Sequence, residues 1–191
     1  MRSTKFFVAT AVLLASVSTL SAQDKSGKKK GGGLPPMIKM TVADFADGGN
    51  VPSKYSCAGP SPAITWSGAP ESTQSYVLIL HDPDPVIGGS SSDVLHWGIF
   101  DIPGDAKGLQ EGVPAGDQAN GAKQIENIRR ANAYFGPCAP PGHGDHHYMF
   151  ELYALNAKLG LPASTSRADL LAAMNGKVAA KGIYIGIFGQ K

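Results

Sequence analysis

The chain has 191 residues, 42% apolar and 17% charged, with a formal net charge of +2. That length suits one domain with a full hydrophobic core. Arg2 and Lys5 account for the net charge, and Lys25, Lys28, Lys29 and Lys30 face only Asp24 in the next stretch, so the remainder is net acidic. A body of that sign has no general attraction to nucleic acid, and none is expected as a partner.

Arg2 and Lys5 flank the start of an apolar stretch, residues 6–15, which is followed by a small-residue run ending at Ala22. This layout predicts a cleavable signal over residues 1–22. The apolar stretch is well short of the roughly 20 residues that span a bilayer. Residue 23 is Gln rather than a Cys that could carry a lipid. No later segment is long enough to cross a membrane, so the chain is expected to be periplasmic or secreted and not transmembrane. Residues 23–36 are rich in Lys and Gly and read as a flexible, solvated tail. Residues 37–191 then form a single domain.

Within the domain, residues 37–45 read as a first strand and 63–66 as a second, separated by turn-rich sequence. Residues 75–81, SYVLILH, form a continuous apolar run of strand length, expected to be buried on both faces. A Pro-, Gly- and Ser-rich loop over 82–93 precedes a strand at 96–102. Residues 104–141 are long and poor in periodicity, with a helical turn expected at 124–130. Strands follow at 148–155 and 183–188. Between them, Ser166 and Asp169 resemble a capping box. Leu170, Leu171, Met174 and Val178 then recur at helical spacing as a buried face. Many strands with one late helix predict a mostly β domain.

Cys57 and Cys138 are the two cysteines. In an exported chain an even count invites a disulfide, but two buried thiols fit this domain size equally well.

All five histidines lie in or beside three clusters. These are His81-Asp82-Pro83-Asp84-Pro85, Leu95-His96-Trp97, and the stretch from Gly136 to Tyr148. Each stands where a loop meets a strand, the place where a rigid scaffold presents functional side chains. Imidazole and phenol donate hydrogen bonds to anions, and a carboxylate behind a histidine fixes its tautomer. The set suits a phosphate, sulfate or carboxylate.

Asp-Pro-Asp, then Leu-His-Trp, then Gly-Pro-x-x-Pro with His-x-Tyr and a closing Leu-Tyr-Ala-Leu resembles the signature of the phosphatidylethanolamine-binding protein family, in its bacterial Raf kinase inhibitor-like branch. Tyr55-Ser56-Cys57, Ile64-x-Trp66-Ser67-Gly68 and Phe100-Asp101-Ile102-Pro103 agree with that branch. The resemblance implies a large central β-sheet packed with a smaller one, with a few peripheral helices. It also implies a small anion pocket formed by Asp82, Asp84, His96, His146 and Tyr148, with Pro137 and Pro140 in its wall. The chain departs from the family pattern at Pro85-Val86, at His147 and over residues 126–129, which concerns rim contacts.

Other readings of these residues remain. Asp-Pro opens turns, so Asp84 fits a turn as well as the pocket, whereas Asp82 reads as a pocket member. His143, His146 and His147, with Cys138 and acidic residues nearby, could bind metal, but on a strand His146 and His147 face opposite ways, so no metal is expected. No nucleophile elbow, zinc-protease motif or phosphate loop is present, so neither a catalytic residue nor a cofactor is expected. The primary expectation is an exported protein binding a phosphate-like or phospho-headgroup anion. The alternatives are an inhibitor-type interaction protein with a partner in the envelope and a minor hydrolase.

Overall fold

Residues 36–190 are described in a computed structural model. The expected signal and all but the last residue of the expected tail lie outside them.

The apolar run forms β4 (Ser75–Asp82), in which every residue is buried. It is central in the sheet, antiparallel to β5 (Val94–Pro103) on one side and to β8 (His146–Leu155) on the other. Beyond β8 lies β9 (Val178–Phe188), also antiparallel. Two-residue strands close the edges: β2 (Gly49–Asn50) runs parallel to β9, and β7 (Lys123–Gln124) pairs with β5. The six strands stand in the order β2-β9-β8-β4-β5-β7. A three-stranded sheet of β1 (Lys39–Val42), β3 (Ile64–Ser67) and β6 (Gly108–Leu109) packs beside it.

Strand alternation explains why β4 is apolar on both faces. Tyr76, Leu78 and Leu80 join Ile64 and Trp66 of the small sheet and Phe150 and Leu152 of β8 in one core. Val77 and Ile79 point the other way, into a second core with Phe100, Leu170 and Met174. The last two belong to α1 (Arg167–Met174). Each fully buried Leu, Ile or Phe contributes about 1.5–3 kcal/mol through burial. The mostly β, two-sheet architecture with one helix near the C-terminus is the one expected.

Three local expectations need correction. The first strand is confined to Lys39–Val42, because Asp44 takes a left-handed backbone, φ 69°, and turns the chain. No helical turn forms over 124–130. Gln124 ends β7, and the buried Asn127 accepts the Arg129 and Ala131 backbone N–H groups, building a tight turn instead. Finally, α1 begins as expected, with the Ser166 hydroxyl oxygen accepting the Asp169 N–H at 3.1 Å. It stops after Met174, where Gly176 at φ 74° reverses the chain. Val178 therefore opens β9 and is 43% exposed, and Leu171 is 38% exposed.

Candidate functional site

The register of β4 against β8 pairs His81 with Met149, so Asp82 at the end of β4 lies beside the first turn of chain entering β8. His146 opens β8 on the face that buries Tyr148 and Phe150, while His147 faces outward and is exposed. The His146 Nδ1 and Asp82 Oδ2 atoms are 2.7 Å apart, with both side chains only 4% exposed. A carboxylate only accepts, so Nδ1 carries the proton of this bond. Asp82 also accepts the Asp84 N–H through Oδ1 at 3.0 Å. The same residue thus makes the turn and faces the cavity. On its far side, His146 Nε2 meets His143 Nδ1 at 2.9 Å. His143 can fold back this way because Gly142 and Gly144, at φ 76° and 89°, flank it.

His96 comes from the start of β5. Its Nδ1 lies 3.0 Å from the Phe135 carbonyl and 3.1 Å from that of Gly136. Both partners accept, so Nδ1 is the protonated nitrogen. Burial holds the His96 pKa below the ordinary histidine range, against the opposing pull of the two carbonyls and Asp82. The ring is therefore neutral near pH 7, and Nε2 presents a lone pair. Phe135 stacks on this imidazole at 5.0 Å, and Tyr148 meets it edge-on at 5.1 Å.

Tyr148 is fully buried and stands behind the wall rather than on it. Its hydroxyl oxygen accepts the Cys138 N–H at 3.0 Å. Burial, and then the charge of Asp82, push its pKa up, so it stays neutral. Cys138 is bonded to Cys57, which settles the alternative left open by the sequence. Two backbone bonds of 2.9 Å reinforce this staple: Cys57 N–H to the Pro137 carbonyl, and Gly136 N–H to the Cys57 carbonyl. Asp84 Oδ2 accepts both the His147 backbone N–H at 2.5 Å and its Nδ1–H at 3.0 Å. It ties the Asp-Pro turn to the start of β8.

The cavity bounded by these groups has a volume of about 380 Å³. Asp82, His96, His146 and Pro140 line it, whereas Asp84, Pro137 and Tyr148 are not among its lining residues. Val86, Ile87 and Ile128 also line it, and all three are exposed. Two polar residues outside the expected pocket set also line it: His143, which the sequence offers as a metal ligand, and Arg129, which the sequence places at the rim and in a helical turn. The asparagine three residues before Arg130 was the available sign of a turn there. Among the described residues, none of the cavity-lining side chains is a serine, threonine or free thiol. No group of three His, Cys, Asp or Glu is placed to hold a metal among them either.

A larger hollow of about 600 Å³ adjoins, sharing Ile87, Val94 and Ile128. It contains no imidazole, and its arginine, Arg167, is neutralised by both oxygens of Asp93. The imidazoles His96, His143 and His146 all line the smaller cavity.

Residues 41–189 match the family described as phosphatidylethanolamine-binding protein. A UPF0098 protein of Aquifex aeolicus is 42% identical over 155 residues, covering 80% of this chain and 88% of that protein. LppC of Mycobacterium tuberculosis, named as a lipoprotein, is 33% identical over 159 residues, covering 81% of this chain and 74% of LppC. Among solved structures, the Chlamydia trachomatis homologue CT736 superposes with a TM-score of 0.71 at 30% identity, covering 81% of this chain and 99% of CT736. Escherichia coli YbcL, described as a member of the mammalian PEBP family, gives 0.71 at 26% identity with the same coverage. The match over nearly the whole described domain, together with the two-sheet fold, makes this chain a member of the phosphatidylethanolamine-binding protein family.

Proposed function

We propose that this chain is an exported binding protein for a small phosphate-bearing anion, held in the cavity between Asp82, His96 and His146. The observation that carries this reading is the convergence of a buried carboxylate–imidazole pair and a second, rigidly held imidazole on one hollow of small-ligand size. In the proposed complex, Asp82 orients His146, His96 contacts the anion through Nε2, and Tyr148 and Pro137 hold the wall. Pro140 closes one side. The apolar mouth at Val86, Ile87 and Ile128 suits a ligand whose phosphate carries an organic group.

Export is supported by the signal layout of residues 1–22 and by the Cys57–Cys138 bond, which suits an oxidising compartment. The lipoprotein name of LppC points to the envelope as well. No described helix is long and apolar enough to cross a membrane.

Titration with inorganic phosphate tests the binding reading. At one hundred times its dissociation constant, phosphate should stabilise the fold by about 2.7 kcal/mol, read as a rise in melting temperature. His96→Ala should lose most of that rise. No rise at millimolar phosphate, or an equal one in His96→Ala, overturns the reading. Export is tested separately by N-terminal sequencing of the protein from the envelope fraction, which should begin at Gln23.

A further inference from the structure

An anion in this cavity needs a counter-charge, and the buried groups supply none in surplus. Asp82 and His146 sum to zero if the imidazole is protonated and to one negative charge if it is not. His96 is neutral. Among the described residues, the only lining side chain with a permanent positive charge is Arg129.

Arg129 is exposed at the rim of the cavity and packs against its wall. Its guanidinium carbon lies 4.8 Å from the centre of the Phe135 ring, and that ring stacks on His96. Its backbone sits in the turn built by Asn127, whose Nδ2 also donates to the Ala133 carbonyl at 2.8 Å. The Ile128 N–H ties the same turn to the Leu95 carbonyl at 3.0 Å, one residue before His96. Among the described residues no carboxylate lies within ion-pair distance of the Arg129 guanidinium, whereas its neighbour Arg130 is turned toward Glu126.

Resting on the pocket reading above, we propose that Arg129 and the Nε2 of His96 together make the cavity selective for a terminal phosphate, a phosphomonoester or the free ion, over a phosphodiester or a carboxylate. Two chemical features of a terminal phosphate fit. It carries close to two negative charges near neutral pH, which the planar guanidinium fork matches. Its dianion can also take up one proton from solvent on binding, which a diester cannot do. That proton, shared between a phosphate oxygen and Nε2, turns the lone pair of His96 from a repulsive contact into a hydrogen bond. A diester or a carboxylate brings one negative charge and no such proton, and leaves the lone pair facing an anionic oxygen.

Calorimetric titration of the disulfide-intact protein tests this with four probes: phosphoethanolamine, inorganic phosphate, glycerophosphoethanolamine and acetate. At least one of the first two should bind about tenfold tighter than the diester and acetate. Whichever of the two is tighter identifies the ester or the free ion as the better ligand. Arg129→Gln should weaken the terminal phosphates about tenfold and the diester and acetate less than about threefold. Arg130→Gln removes an equal charge one residue away and should leave all four within about twofold. A diester that binds as tightly as the monoester overturns the proposal. So does Arg129→Gln binding phosphate within twofold of wild type, or Arg130→Gln losing as much as Arg129→Gln. A wild-type protein that takes none of the probes overturns the pocket reading itself, and this assignment with it.

Discussion

Asp82 and His146 meet at 2.7 Å across the seam between β4 and β8, with 63 residues of chain between them and almost no solvent around either side chain. Neither group is comfortable there alone. A buried carboxylate without its donor retains the full desolvation cost, whereas loss of both partners removes the cost along with the bond.

A double-mutant cycle should therefore show strong coupling. His146→Ala alone should destabilise the fold by about 3–5 kcal/mol because it strands Asp82. The Asp82→Asn, His146→Ala double variant should be less destabilised than the sum of the two single changes by about 1–3 kcal/mol. Urea denaturation of the four proteins measures this. Additivity within about 0.5 kcal/mol would show that the pair is not an energetic unit.

Phosphate binding should tighten as pH falls. Free His96 is held neutral by burial, with its pKa below the ordinary histidine value. Bound phosphate favours a proton between its oxygen and Nε2, so binding takes one up whenever both are deprotonated. The charged groups that influence this ring are Asp82 and His146; Arg129 and His143 line the same cavity, and Tyr148 stays neutral. Affinity should fall by up to about tenfold per pH unit at pH values well above the second phosphate pKa of about 6 for a monoester. Titrations at pH 8 in buffers of different ionisation enthalpy should report close to one proton bound per phosphate. A flat profile, or the same uptake in His96→Ala, would contradict the assigned tautomer.

Breaking the Cys57–Cys138 bond should affect both stability and binding. The bond closes a loop of 81 residues, for which loop-closure entropy gives about 4.5 kcal/mol as an upper value. Cys138 also lines the cavity, and its N–H is fixed to Tyr148. The Cys57→Ser, Cys138→Ser double variant should lose about 2–4 kcal/mol of stability and bind phosphate several-fold more weakly. The two backbone bonds between Cys57 and residues 136–137 remain available, so the wall should loosen without collapsing. Denaturant melts and calorimetry on the reduced-equivalent variant measure the two effects, and unchanged affinity would show that the bond does not shape the site.

The parts of this site readable in the sequence are those fixed by strand periodicity and short motifs. Asp82, His96 and His146 sit at strand ends, where alternation and an Asp-Pro turn already constrain direction. Asp84 and Tyr148 were legible as residues but not in orientation: Asp84 turns outward to bind His147, and Tyr148 turns inward to Cys138. Arg129 and His143 depend on loops whose conformation is set by distant partners, Leu95 for one and His146 for the other. A local pattern contains no information about such partners. The same limit explains the helical turn expected at 124–130: spacing carries no sign of the buried Asn127 side chain that sets the backbone there.

On the outer face of the main sheet, acid stability should depend on Glu151. Burial raises its pKa, but the nearby His81 imidazole and the bonds from Lys181 and Tyr153 outweigh that and bring it down to about 2. Lys181 Nζ lies 2.5 Å from Oε1, and the Tyr153 hydroxyl donates to Oε2 at 2.8 Å. His81 stands between Glu151 and Asp93 and links this cluster to Arg167 at the start of α1. A carboxyl whose folded pKa lies below its unfolded value stabilises the protein above the unfolded value of about 4.3, and loses that contribution as pH falls toward the folded value. The shift corresponds to about 3 kcal/mol at most, present at pH 7 and gone near pH 2. Glu151→Gln should therefore be less stable than wild type at pH 7 by about 1–3 kcal/mol, with the two converging between pH 4.5 and 2. Thermal melts across that range decide it. A gap that stays constant with pH would mean that Glu151 acts through packing and not through its charge.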